Sequence, residues 1–326
     1  MSGIASGASA VEPPAGVSAP CVVHLVRAAN GIEPFRAFLE SYVRHPAGLQ
    51  HELVLLFKGF SSDREAASYL ELADGLDAHP VYVSDQGFDL TAYRTAAERL
   101  DRSYYCFLNS FSVILAPDWL KHLYAALLSP GMGVVGATGS WGSIRSYARF
   151  MLGLGGPYGR VLPDRRTTTT TIAAIGERNA TDAPGSERRR RRVPVVSFAA
   201  ALLGQAHGFG PFPARHVRTT GFMIAHDVLA RLRFPEVRRK NDAYRLESGS
   251  ESITAQVERL QLAAILVGRD GRSYGTAEWP ASRTFWQGEQ ENLLIGDKQT
   301  ANYQQGDATV RSVLSRYAWG ELADTR

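Results

Sequence analysis

The alternation of short apolar runs with amphipathic segments between residues 21 and 128 constrains this chain more than any other feature. Each apolar run has the length of a strand, and the segment after it places its apolar residues at helical spacing. Four such units in succession predict a mostly parallel, doubly wound α/β sheet. Because the alternation weakens after residue 150, we expect residues 197–326 to form a smaller, irregular half of the same domain.

The fourth unit ends in a group of small polar side chains. Its apolar run, Tyr104 to Leu108, is followed by Asn109, Ser110 and Ser112 and then by a turn into another helix. Open α/β sheets bind their ligands at the carboxyl ends of the strands. The sequence therefore predicts a ligand site at Asn109 and Ser110.

The cysteine and histidine content argues against a metal site built from these residues. Cys21 and Cys106 are the two cysteines of the chain, and we expect both to be reduced. None of the eight histidines belongs to an HExxH or HxH pair. No metal-ligating residue is predicted.

The first residues and the apolar runs indicate where the chain resides. Residues 1–20 lack the basic and apolar regions of a signal peptide and are predicted to be a disordered lead-in. The longest nearly uncharged apolar run, Val193 to Gly204, is shorter than the roughly 20 residues that a membrane helix requires. We therefore expect a cytoplasmic protein.

The formal net charge of +4 is concentrated in one segment, residues 160–196, which contains nine arginines and four acids. A threonine run and five consecutive arginines, Arg188 to Arg192, are typical of a flexible, solvated insertion. The alternative is a contact with anionic lipid, glycan or nucleic acid, since such runs attract polyanions without a fold. A peripheral membrane or polyanion contact is thus predicted, and no specific nucleic-acid site.

A polar turn follows the third apolar run in the sequence SDQGFDLTAYRTAAE. Asp85, Gly87 and Asp89 lie where a strand ends and a helix begins, so side chains and backbone donors there can hold a phosphate, ribose or base. Arg94 follows closely enough to reach the same end of the helix. The alternative interpretation is a helix cap at Asp89 and a surface arginine.

The glycines of VVGATGSWGS, at positions 136, 139 and 142, only superficially match a dinucleotide-binding fingerprint. They follow the fourth unit rather than the first, and the sequence shows no clear helix behind them. We interpret them as a tight turn that lets the sheet edge approach a ligand or another backbone.

The order of strands and helices, the turn SDQGFDLTAYRTAAE and the segment YYCFLNSFSVILAPDWL together resemble GT-A glycosyltransferases, of the family 2 and rhamnan-synthesis type. The resemblance covers residues 21–150, with a weaker continuation through RTTGFMIAHDVL. It implies that residues 21–150 bind a nucleoside-diphosphate sugar. It also implies that Asp85, Gly87, Asp89 and Arg94 contact this donor.

The chain departs from the family at the Asp-x-Asp motif, which the resemblance aligns with Asn109, Ser110 and Phe111. A divalent ion that bridges a diphosphate prefers anionic oxygen ligands, and an amide and a phenyl ring are poor substitutes. The expectation is that no divalent metal binds. Either arginines and backbone amides neutralise the diphosphate, or the site no longer turns over.

The resemblance places an acidic catalytic base in the second half, where the sequence reads RRKNDAYRLESGSES. Such a carboxylate would deprotonate the acceptor hydroxyl as it attacks the anomeric carbon. Glu247 is the first candidate and Asp242 the second. The alternative is an acidic helix start with a capping role.

Three tryptophans are candidates for contacts with a sugar, because aromatic rings cover the apolar faces of sugars. They are Trp141, in the glycine-rich turn, and Trp279 and Trp286, in the amide-rich segment near the end of the chain. The alternative for the last two is a place in the core. Arg283 is a candidate clamp for the diphosphate.

The resemblance therefore implies a glycosyltransferase, inverting and metal-independent, that moves a sugar onto a glycan or lipid-linked acceptor, as in polysaccharide biosynthesis. The alternative is a non-catalytic binding or assembly module on the same fold. A nucleotidyltransferase is a third interpretation, but it would also require metal-binding acids.

Overall fold

The computed structural model describes residues 12, 18–180, 206, 208–235 and 240–324, with only the backbone described at 173–180, 240, 241 and 324. Arg188 to Arg192, the run from Val193 to Gly204 and most of the lead-in lie outside these residues. The main sheet has eight strands in the order β11-β10-β6-β9-β4-β1-β2-β3. These strands are β1 (Cys21–Arg27), β2 (Glu52–Lys58), β3 (Ala78–Val83), β4 (Tyr104–Leu108), β6 (Met132–Gly136), β9 (Gly221–Ala225), β10 (Ala263–Val267) and β11 (Ser273–Tyr274).

Six of these strands run in one direction. Strands β3, β2, β1 and β4 are successively parallel, and β9 then pairs antiparallel with both β4 and β6. Strand β10 lies parallel to β6, and β11 returns antiparallel after the turn at Gly271. Two short ladders complete the strands. They pair β5 (Val113–Ile114) with β12 (Ile295–Gly296), and β7 (Gly139–Ser140) with β8 (His216–Val217).

The helices cover both faces of the sheet. One face carries α1 (Glu33–Arg44), α2 (Asp63–Leu72) and α4 (Trp119–Leu127). The other carries α3 (Asp89–Leu100), α8 (His226–Arg231), α9 (Lys240–Ser248), α10 (Ile253–Arg259) and α12 (Ala308–Trp319). The remaining helices are α5 (Ile144–Met151), α6 (Tyr158–Val161), α7 (Arg165–Ala180) and α11 (Lys298–Gln304).

Strand β1 shows why the sequence folds in this way. Val23 and Leu25 pack into the core on one face of the sheet, whereas Val22 and Val26 pack into the core on the other. A strand that is buried on both faces is an unbroken apolar run rather than an alternating one. The fold class predicted from the sequence, a mostly parallel, doubly wound α/β sheet, is confirmed.

The winding direction changes between β1 and β4. Helices α1 and α2 connect β1 to β3 on one face, and α3 crosses the other face to reach β4. In such sheets the crevice at the carboxyl ends of the strands at the switch point is the usual ligand site. This crevice contains Asn109, directly after β4.

Two helices differ from the sequence-based expectations. A helix, α5, does follow the glycine-rich turn, and the side chain of Ser143 caps it by accepting a hydrogen bond from the Ser146 N–H. Residues 165–180 of the basic insertion form α7, where Asp164 accepts hydrogen bonds from the N–H groups of Arg166 and Thr167. Local caps thus create helices in segments whose composition indicates turns and loops. No described helix is long and apolar enough to cross a membrane.

Candidate active site

A cavity of about 630 Å³ opens at the carboxyl end of β4. The first half of the chain contributes Asp89, Asn109 and Phe111 to its wall, and the second half contributes most of the rest. Its other polar and charged residues are Ser140 and, from the second half, His216, Arg218, Thr219, Glu247, Ser248, Asp297, Lys298 and Gln299. Aromatic rings at Tyr147, Phe285, Trp286 and Tyr317 complete much of the wall.

The turn after β4 is locked by its own side chains. The Oδ1 atom of Asn109 accepts a hydrogen bond of 2.8 Å from the Phe111 N–H. Ser110 is only 5 % exposed, and the Lys298 ammonium lies 5.5 Å from the centre of the Phe111 ring. The amide oxygen at the first position of the turn is therefore already engaged within the protein.

This donor set does not fit a divalent metal. Such an ion requires several hard oxygen ligands, and the turn offers a hydrogen-bonded amide, a buried hydroxyl and a phenyl ring. Within residues 18–180, 208–235 and 240–324, no group of three or more His, Cys, Asp or Glu side chains could hold a metal ion.

Two carboxylates from opposite halves of the chain, Asp89 and Glu247, line the cavity. Asp89 is the first residue of α3, and burial of its carboxylate raises its pKa, although Lys58 and Arg27 partly oppose this effect. Burial raises the pKa of the Tyr93 hydroxyl, and the charges of Asp89 and Glu247 raise it further. Both predicted acids thus line one cavity and act on the same buried hydroxyl.

Asp242, the second candidate base, lies five residues before Glu247 on α9 and is not among the residues that line the cavity. Its carboxylate is 3.8 Å from the Arg245 guanidinium. The structure therefore brings Glu247, but not Asp242, to the cavity wall.

The predicted donor-binding turn is divided between two places. Asp85 pairs with Arg27, with an Nε to Oδ1 distance of 2.9 Å, and the buried Lys58 ammonium donates to the Gly87 carbonyl at 2.7 Å. Arg94 pairs with Glu98 and, with Gly87, lines a separate cavity of about 350 Å³. Asp89 is the one residue of this turn that reaches the large cavity.

The three tryptophans have different environments. Trp286 lines the cavity, stacks on Phe285 and donates its indole N–H to the Gln299 carbonyl at 3.1 Å. Trp279 is fully buried and donates to the Tyr274 carbonyl, so its environment is that of the core. Trp141 lines a separate groove of about 490 Å³.

Arg283 lies away from the large cavity, whereas the glycine-rich turn forms part of its wall. Arg283 forms an ion pair with Glu291 and is not among the residues that line the large cavity. At Gly142, which does line it, an added Cβ would lie 2.6 Å from a ring carbon of Tyr317. The glycine therefore permits close packing of the turn against the cavity wall.

The sequence does not predict a charged pair that lies on the cavity wall, Arg218 and Asp297. Their side chains are 3.4 Å apart, and the Arg218 guanidinium lies 4.2 Å from the centre of the Phe285 ring. Asp297 also accepts from the Thr220 hydroxyl at 2.7 Å and caps α11. The sequence DKQT is a capping-box pattern and marks the helix start. The pairing with Arg218 joins residues far apart in the chain and has no local signal.

Comparisons with known proteins show only distant structural likeness. No protein-family model matches the chain, and no curated protein does. A mannosyltransferase from Pyrobaculum calidifontis, solved with GDP-Man and Mn²⁺, is 18 % identical over 36 % of this chain and 34 % of its own, with a TM-score of 0.30.

Two further solved structures show the same level of likeness. GalNAc-T7 with UDP, GalNAc and Mn²⁺ is 17 % identical over 37 % of this chain and 23 % of its own, with a TM-score of 0.30. A CMP:2-keto-3-deoxy-manno-octonic acid synthetase with CTP is 12 % identical over 75 % of this chain and 85 % of its own, with a TM-score of 0.33. The chain thus spans about a third or less of the first two structures.

Proposed function

We propose that the protein is a GT-A-type glycosyltransferase that uses a nucleoside-diphosphate sugar. The observation that carries this proposal is the cavity at the carboxyl end of β4, where Glu247 and Asp89 lie among aromatic rings. Carboxylates beside aromatic side chains suit the binding of a sugar. The aromatic side chains cover the apolar faces of the sugar, and the polar groups bind its hydroxyls. A glycan or a lipid-linked acceptor is the proposed second substrate.

In the proposed reaction Glu247 is the catalytic base. It takes the proton of the acceptor hydroxyl while that oxygen forms a bond to the anomeric carbon, and the nucleoside diphosphate leaves with the electron pair of the broken bond. A single displacement of this kind inverts the anomeric centre. For the diphosphate charge we favour Arg218 and Lys298 over Arg283, because they line the cavity and Arg283 does not.

The Glu247→Gln variant tests this role. It keeps the size and polarity of the side chain but cannot accept the proton, so turnover of a donor should fall by about 100-fold or more while donor binding is retained. Turnover is measured as release of nucleoside diphosphate, and binding by calorimetric titration. Asp242→Asn is the matched control on the same helix and should retain most activity. Unchanged turnover in Glu247→Gln would remove Glu247 from the mechanism.

The second candidate function is a non-catalytic binding or assembly module, which the Asn109-Ser110-Phe111 turn favours. In that case the wild-type protein binds a nucleotide or glycan but releases no product from any donor. The Glu247→Gln variant would then behave as the wild type.

The arginine run is the basis of a separate proposal, that Arg188 to Arg192 contacts an anionic membrane or polysaccharide. Replacement of all five arginines by glutamine should reduce sedimentation with vesicles that contain anionic phospholipid, and this reduction should be greatest at low salt. Vesicles of zwitterionic lipid are the control. Equal sedimentation of the two proteins would remove the proposal.

A further inference from the structure

Two residues of the cavity wall, Ser140 and His216, face each other across a short antiparallel ladder. They are register partners in the pairing of β7 with β8, and both line the cavity. Ser140 is 3 % exposed and His216 is 8 % exposed. Directly opposed residues of an antiparallel pair have Cβ atoms about 5 Å apart on the same face of the ladder. Their polar atoms are therefore presented together to one part of the cavity.

The tautomer of His216 follows from its backbone contact. Its Nδ1 atom lies 2.8 Å from the Ala214 carbonyl oxygen, which can only accept, so Nδ1 carries the proton and donates it. In the neutral ring Nε2 is then an acceptor, and no described residue donates a hydrogen bond to it. Burial lowers the pKa of His216 to about 4, and the nearby Arg218 charge acts in the same direction. The ring thus remains neutral near pH 7.

Ser140 has the complementary hydrogen-bonding capacity. Its Oγ atom accepts a hydrogen bond of 3.0 Å from the Gly142 N–H, and this contact fixes the hydroxyl on the cavity wall. Among the described residues none accepts the Ser140 hydroxyl proton, so this proton is available to a ligand. The ladder therefore presents one acceptor and one donor side by side.

We propose that Ser140 and His216 form a subsite for two neighbouring hydroxyl groups of an uncharged sugar. One sugar hydroxyl donates to His216 Nε2, and the other accepts from Ser140 Oγ. The subsite deepens the proposed function and rests on it, since it assumes that the cavity takes a sugar. His216 acts here as a specificity-determining residue, because a pKa of about 4 makes it too weak a base to compete with a carboxylate-catalysed proton transfer near neutral pH.

Two substitutions of His216 separate ligand recognition from its structural contact. In His216→Asn the amide nitrogen takes the position of Nδ1 and preserves the bond to Ala214, but the Nε2 acceptor is lost. In His216→Gln the amide oxygen takes the position of Nε2 and preserves the acceptor, whereas the Ala214 bond is lost. If His216 has only a structural role, His216→Gln should be the more damaging substitution. If His216 binds a ligand, His216→Asn should weaken ligand binding more.

The test uses the full-length protein and the methyl glycosides of glucose, galactose, mannose and rhamnose, with affinity measured by saturation-transfer NMR titration. We expect at least one glycoside to bind, His216→Asn and Ser140→Ala each to weaken it about fivefold, and His216→Gln to stay near wild type. His79→Asn and Ser129→Ala, on the exposed surface, are matched controls. Urea unfolding of each variant confirms that it is folded.

Binding of UDP and GDP is measured in parallel, so that the subsite and the transferase proposal can fail separately. If no glycoside binds the wild type, or if His216→Asn and Ser140→Ala bind as the wild type does, the subsite is refuted whatever the nucleotides do. If neither nucleotide binds while a glycoside binds in a His216-dependent manner, the subsite stands and the transferase proposal loses its donor.

Discussion

One residue of the cavity wall, Asp89, is an acid whose charged form reduces the stability of the folded protein. Asp89 is held in a protein environment that raises the pKa of its carboxyl, even though Lys58 and Arg27 are near. A group in such an environment is less stable as an anion than it would be in water. We infer that Asp89 is retained for a ligand contact rather than for folding, because functional sites commonly keep destabilising groups.

The Asp89→Asn variant tests this inference through its pH dependence. An acid whose pKa is raised in the folded state stabilises the fold below its unfolded pKa of 3.8, and this contribution is lost as pH rises through the folded pKa. Asparagine does not titrate, so the variant does not lose stability in this way. The unfolding free energy of the variant minus that of the wild type should therefore increase from pH 4 to pH 7. Urea unfolding of both proteins at several pH values measures this difference. A difference that is constant with pH would show that Asp89 has an ordinary pKa.

The elements show which parts of the fold a sequence can predict. The four alternating units follow from apolar periodicity, which is a local signal, and the structure contains all of them. Helix α7 was not predicted, because a threonine run has low helix propensity. In the structure the hydroxyls of Thr169 and Thr170 donate to the carbonyls four residues earlier.

The candidate site was partly predictable for the same reason. Asn109 follows an apolar run of strand length and Asp89 opens a helical segment, so a local pattern marks both of them, whereas Glu247 is indicated only by the family resemblance. Arg218 and His216 have partners that only the fold brings together: Arg218 pairs with Asp297, and His216 faces Ser140 on a ladder of only two residues per strand. A two-residue strand has no periodicity to detect.

Helix α11 depends on one buried acid. Asp297 caps the helix, accepts from Thr220 and pairs with Arg218. We expect Asp297→Ala to reduce the unfolding free energy by about 3 kcal/mol, since a cap is lost and a largely buried guanidinium is left unpaired. Asp297→Asn keeps the capping oxygen but removes the charge that pairs with Arg218, so its effect should be smaller, about 2 kcal/mol. Chemical denaturation measures both, and equal effects of the two variants would show that the cap contributes little.

At the scale of the whole molecule, both halves of the chain contribute strands to one sheet, and strands and helices alternate regularly only in the first half. Residues 21–128 supply four of the six strands that run in one direction and the turn after β4, and the second half supplies β10, the antiparallel β9 and most of the cavity wall. The cavity therefore cannot form from the regular half alone. The second half, whose sequence patterns are weak, provides Glu247, Arg218 and most of the aromatic rings. The candidate site is therefore harder to predict from the sequence than the fold is.

The most direct measurement of the central claim is donor binding to the full-length protein. A panel of UDP-, GDP-, dTDP- and CMP-linked sugars is screened by ligand-detected NMR in the presence of EDTA and, separately, with Mg²⁺ or Mn²⁺. We predict that at least one nucleoside-diphosphate sugar binds without added metal and that Arg218→Gln weakens it about tenfold, whereas Arg283→Gln does not. Absence of binding by every donor under all three conditions would contradict the assignment of this cavity to a nucleotide-sugar-dependent glycosyltransferase.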